Sequence, residues 1–139
     1  MNQEIDALLE HPFMETVAYF SVAALALILF LAIFELVTSY RSWDEILKGN
    51  IAVALTIGGK IIAICNIFRF AENNHESIYI SFLTASFGFL LLILAYFLFE
   101  FLTPYIKIDK EIQKDNRAVG FIALIISVSL SYVIGACIT

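Results

Sequence analysis

Charge is scarce in this sequence. Only 15% of its 139 residues are Asp, Glu, Lys or Arg, where a soluble domain carries roughly a quarter. The 8 Lys plus Arg and 13 Asp plus Glu gather into a few short stretches. Cysteine is almost missing: Cys65 and Cys137 both sit in apolar runs, with no second Cys or His at a ligand spacing. That excludes a zinc site or a disulfide framework, and ordinary buried thiols are expected. No basic stripe is available to neutralise phosphates, and the net charge is -5, so nucleic acid is excluded as a partner. Met1 to Met14 contains no Lys or Arg. It lacks the basic start of a secretory signal, and the first apolar run is expected to be retained. A Ser/His/Asp set, a metal constellation and a phosphate loop are all missing, so no enzyme, metal or cofactor is expected.

What the sequence does have is long apolar runs, with 61% hydrophobic residues and 13 Phe. This composition excludes disorder. The runs are Val17 to Val37, Ile51 to Phe68, Ile78 to Leu102 and Ala118 to Ile138, each near the 20 or so residues that cross a bilayer. The second is the least hydrophobic. The connections 38–50, 69–77 and 103–117 leave no room for a soluble catalytic domain. The expected fold is all-α, an integral membrane four-helix bundle in contact with the lipid bilayer.

Basic residues predict the orientation, because cytoplasmic loops are enriched in Lys and Arg. The first loop holds Arg41 and Lys48, and the third holds Lys107, Lys110, Lys114 and Arg117; the opposite side has Arg69 alone. Both charged loops are therefore expected in the cytoplasm of a bacterial plasma (inner) membrane protein, with the N- and C-termini outside. In the acidic N-terminal segment, Ile5, Leu8, Leu9 and Phe13 fall on one helical face, which suits the outer interface.

The chain also repeats itself. At an offset of 65, Glu35, Thr38, Tyr40 and Asp44 coincide with Glu100, Thr103, Tyr105 and Asp109, and Ser21, Leu25, Leu27 and Leu29 with Ser86, Leu90, Leu92 and Leu94. At 66, Lys48, Asn50, Ala52 and Val53 meet Lys114, Asn116, Ala118 and Val119. Each half is a helical hairpin with an even number of crossings, so the halves form a parallel repeat about an axis along the membrane normal. The expected division is an outer N-terminal segment 1–16, a first two-span repeat 17–70, an outer linker 71–77 and a second two-span repeat 78–139. Pro104 stops the third span, and Asn50 and Asn116 are candidate helix caps for the returning spans.

A span, a loop ending in Lys48-Gly49-Asn50, then Ala52 to Leu55, Gly58-Gly59 and a second hairpin closing on Gly135-Ala136-Cys137-Ile138-Thr139 resemble the bacterial domain of unknown function 350 family. The resemblance covers about Val17 to Thr139. It implies a small inner-membrane protein, commonly with two copies of a two-span unit, without assigned activity and linked by inference to envelope stress. Lys60 departs from the family pattern, where an apolar residue is more usual after the glycine pair.

Glu35, Lys60 and Glu100 lie inside the apolar runs. Such groups cost about 2.5 to 3.5 kcal/mol at the centre of a spanning helix, usually face the bundle and are functional candidates by default. Lys60 is about ten residues into its span, roughly 15 Å deep. All three side chains lean toward each other along their helices, so the ammonium is placed to meet one or both carboxylates, leaving one negative charge for a proton, a cation or water to neutralise. Bland readings stand beside this one: the glutamates as interface markers, Lys60 as a structural ion-pair partner. Gly58 and Gly59 suit close helix packing. Ser127 with Ser131, and Ser21 with Ala24 and Ala32, suit a polar path or local bonds to helical carbonyls. His75, beside Glu72 and Glu76, suits a pH-sensing or a merely solvated loop.

Two functions follow. One is a small ion or proton conducting protein, a homo-oligomer because four helices alone make a narrow pore. The alternative is a non-catalytic scaffold or envelope-stress partner whose charged loops, with Trp43 and the 107–117 stretch, bind a cytoplasmic peripheral protein or anionic lipid.

Overall fold

The computed structural model of the chain describes residues 2–73 and 77–139. They form seven helices: α1 (Asn2–Leu9), α2 (Pro12–Val37), α3 (Ser42–Leu47), α4 (Ile51–Asn73), α5 (Ile78–Leu102), α6 (Ile108–Gln113) and α7 (Arg117–Ile138). No strand occurs among the described residues. The four long helices coincide with the four apolar runs, and each is long and apolar enough to cross a membrane. The chain is an all-α, multi-pass membrane helical bundle.

Two spans extend several residues beyond the runs that announce them. Helix α2 begins at Pro12, which occupies its first turn, where the missing N–H would be unpaired anyway; the N-terminal segment is thereby shared between α1 and the start of α2. Helix α4 continues past Phe68 to Asn73. His75 and Glu76, and with them the reading of His75 as a pH sensor, lie outside the described residues.

Helix α4 is the centre of the bundle, buried around most of its circumference, whereas α2, α5 and α7 each leave a broad face outward. Its main partner is α7. Ala52 stands against Gly120, Gly59 against Leu124, Asn66 against Ser131 and Phe70 against Gly135, so the two helices run parallel. Their backbones nearly touch. A Cβ on Gly59 would lie 2.7 Å from the Leu124 Cα, and one on Gly120 would lie 2.7 Å from the Ala52 Cα. Lipid tails are as apolar as leucine, so such close approach, with its dispersion contacts, takes the place of hydrophobic driving force. Gly58 faces open space; the close packing expected of the glycine pair belongs to Gly59 alone.

Helix α5 packs on both α4 and α7, while α2 packs on α4 and α5 but makes no extensive contact with α7. Aromatic rings fill the α2–α5 seam: Phe30 stacks on Phe89 at 4.2 Å between centroids, and Phe34 meets Phe89 edge-on at 5.1 Å. Offset stacks and edge-to-face pairs are the favoured ring geometries.

The two loop helices lie at one end of the bundle, both against α4, and their exits are built alike. After α3, Gly49 N–H donates to Ile46 O at 2.9 Å and Asn50 N–H to Glu45 O at 3.0 Å; after α6, Asp115 N–H donates to Ile112 O and Asn116 N–H to Glu111 O, both at 3.0 Å. This is the paired closure of a helix that ends on a left-handed residue, and Gly49 (φ 87) and Asp115 (φ 62) supply it. The asparagine one position later then starts the next span.

Candidate functional site

The site is assembled from the ends of the spans inward. Asn50 and Asn116 each cap a span through Oδ1, accepting from Val53 N at 3.0 Å and Val119 N at 3.4 Å. Asn50 does more than its counterpart. Its Nδ2 also donates to Ile112 O at 3.1 Å and Gln113 O at 3.0 Å, satisfying final carbonyls of α6. In return Asp115 Oδ1 accepts from Ala52 N at 3.0 Å, at the start of α4. The two hairpins are strapped together at this end.

Lys60 lies deeper on α4, 3% exposed. Its Nζ donates to Thr38 Oγ1 at 3.4 Å and sits 4.8 Å from the centre of the Phe34 ring and 5.6 Å from that of Tyr96. The sequence expectation placed this ammonium with Glu35 and Glu100. The structure corrects that: among the described residues no carboxylate lies within 4.0 Å of it. Glu35 is drawn away because its Oε1 accepts from Ser42 N at 2.7 Å, capping α3, where a carboxylate also complements the helix dipole. Glu100 stays at the half-exposed edge of α5.

The buried carboxylate of the site is Asp109, on α6. Its Oδ2 accepts from Ser39 N at 3.2 Å and Ser39 Oγ at 3.0 Å, and its Oδ1 accepts a hydrogen bond from the Tyr96 hydroxyl. Tyr40 is buried beside this group. Desolvation first, then the charges of Asp109, Glu35 and Glu45, hold its phenol well above the ordinary range. The repeat does not reproduce the arrangement, since Tyr105 is fully exposed and Ile126 stands where the offset of 66 would put a second lysine.

A cavity of about 260 Å³ opens beside Lys60, between α5 and α7. Its walls are apolar, and it sits on the side of α7 that packs against α5. Ser127 lines it; Ser131 instead accepts from Asn66 Nδ2 at 3.0 Å, and Ser21 is outward-facing and bonded to Val17 O. Cys65 and Cys137, expected to be buried, are exposed on the outer faces of their helices. An apolar run does not distinguish the lipid side of a span from the bundle side.

Residues 7–138 match the family model described as Domain of Unknown Function (DUF350). The chain belongs to this family. It is 53% identical over 127 residues to the UPF0719 transmembrane protein YshE of Bacillus subtilis (strain 168), an alignment covering 91% of this chain and 95% of that protein. No solved structure matches the chain at a significant level. Within this DUF350 chain the residues that sequence reasoning overlooked are Asp109, Tyr96 and Ser39. A tyrosine within an apolar span, followed by an aspartate in a short loop, was the available signal. The matching of Asp44 to Asp109 obscured it, because Asp44 is an exposed partner of Arg41 at 3.9 Å.

Proposed function

We propose that this DUF350 protein is a non-catalytic plasma-membrane protein that moves protons through its bundle, working as a homo-oligomer with α3 and α6 on the cytoplasmic side. The observation that carries the reading is the buried lysine that has no ion-pair partner among the described residues, set near a buried aspartate on the loop side. Intramembrane ionisable groups are expensive and mark ion or proton paths. Lysine and aspartate each gain and lose a proton, and the Thr38 and Tyr96 hydroxyls between them are exchangeable. While protonated, the Lys60 ammonium repels Na⁺ and K⁺ in low dielectric, whereas a proton can be handed on by the lysine's own titration, which narrows the conducted species to the proton. Glu35 and Glu100 become peripheral in this reading, one a helix cap and the other an edge residue.

The test is proton flux into liposomes containing purified protein. Lys60→Met and Asp109→Asn are each expected to abolish flux, and Glu100→Gln to preserve it. Undiminished flux in the Lys60→Met protein, or none in the wild type across a range of pH and voltage, rejects the reading.

The scaffold alternative is favoured by one observation. Lys107, Lys110 and Lys114 all stand exposed on and beside α6. Such a concentrated positive patch suits anionic lipid headgroups. Retention of phosphatidylglycerol, read by native mass spectrometry, is expected to fall in a Lys107→Glu, Lys110→Glu variant; unchanged retention removes the alternative.

A further inference from the structure

A lysine ammonium carries three N–H donors. At Lys60 one reaches Thr38 at the long distance of 3.4 Å, and the ammonium otherwise faces the rings of Phe34 and Tyr96. The nearby carboxylates are already engaged: Asp109 by Ser39 and Tyr96, Glu35 by the Ser42 amide. A buried charge with unused donors is unfavourable unless something completes it, and this one lines a cavity.

The shape and walls of that cavity say what would complete it. Along α7 it extends from Ala118 to Leu130, a rise of roughly 18 Å at 1.5 Å per residue. The lining along this length is apolar, including Leu92, Phe99, Ile122 and Ile126. An enclosed apolar cavity of about 150 Å³ suffices to bind benzene, and this one is larger, at about 260 Å³, and open on one side. Of the hydroxyls on its wall, Thr56 Oγ1 is spent on Ala52 O, Thr103 Oγ1 on Phe99 O and the Tyr96 hydroxyl on Asp109, which leaves Ser127 as the one neutral polar group beside the Lys60 cation. One cation on the wall of a long apolar slot is the complement of one negative head on one apolar chain.

We infer that this slot binds an anionic single-chain amphiphile, with its head on the Lys60 ammonium and its tail between α5 and α7. A carboxylate suits this wall because it is a compact, singly charged head that matches the one ammonium there. The open side admits such a molecule from the surrounding bilayer. The assignment does not rest on proton movement, and it is tested without a gradient.

The experiment uses the full chain in an uncharged detergent and follows displacement of a spin-labelled stearate by palmitate, hexadecanol or lysophosphatidylglycerol. Palmitate is expected to displace the probe at a concentration about tenfold or more below hexadecanol, the margin of one hydrogen bond to a charged group. Lys60→Met should erase that margin while leaving hexadecanol unaffected. Ile126→Trp, which fills the slot, should remove probe binding. Lysophosphatidylglycerol outcompeting palmitate would support the same site with a phosphate head. Equal displacement by the acid and the alcohol on the wild type, or probe binding unchanged by both substitutions, would overturn the inference. The wild-type competition stands even if a variant fails to fold.

Discussion

At the scale of single residues, the two asparagines form an internal comparison. Both accept a bond from the first turn of a span, but Asn50 alone also serves two carbonyls of α6. Asn116→Ala should therefore cost about 1 kcal/mol, the worth of a cap. Asn50→Ala should cost about 2 to 3 kcal/mol, because buried acceptors also lose their donor. Denaturation in mixed micelles measures both; equal losses would mean that the bonds from Asn50 to α6 contribute nothing. Tyr40 makes the α3/α6 end sensitive to alkali. Its phenol keeps its proton to higher pH in the folded protein than in the unfolded chain. The contribution is thus fully present below about pH 10, the unfolded value, and is lost as pH rises toward the folded one. Tyr40→Phe should flatten the fall in stability above about pH 10, and a variant that falls as steeply as the wild type would contradict this.

At the scale of elements, the α4–α7 seam depends on backbone proximity. Gly59→Leu and Gly120→Leu each place a side chain where a main chain already lies, so each should lower stability by about 3 kcal/mol or more and part the helices. Gly58→Ala meets nothing and should be neutral or stabilising by up to about 1 kcal/mol. A thermal-unfolding series in which all three variants behave alike would refute the parallel packing. These elements also mark what a sequence can and cannot convey. The four spans were legible because bilayer thickness sets their length, and the cap positions were legible because a repeated Asn follows a repeated loop. Which of two adjacent glycines touches α7 was not, since a rotation of 100° about the helix leaves composition unchanged. Asp109 was equally hidden: its partners Ser39 and Tyr96 sit on other elements, and their repeat counterparts, Pro104 and Leu31, cannot make the same bonds.

For the whole molecule, the distribution of basic residues sets the expected orientation, with α3 and α6 on the cytoplasmic side. In a background with Cys65 and Cys137 replaced by Ser, a cysteine at Lys110 should react with an impermeant maleimide only after the cytoplasmic side is opened. A cysteine at Asn73 should react in intact spheroplasts, and the reverse pattern would invert the topology. The straps at the α3/α6 end bear on how such a chain is made. The Ala52 amide at the head of α4 finds its acceptor 63 residues downstream, and Asn50 its carbonyls 62 and 63 residues downstream. During synthesis, then, the first hairpin enters the bilayer with the head of its inner helix incomplete. It stays a provisional structure until the ribosome has passed Asp115, which makes the first half a dependent of the second in biogenesis, however alike the two are in sequence.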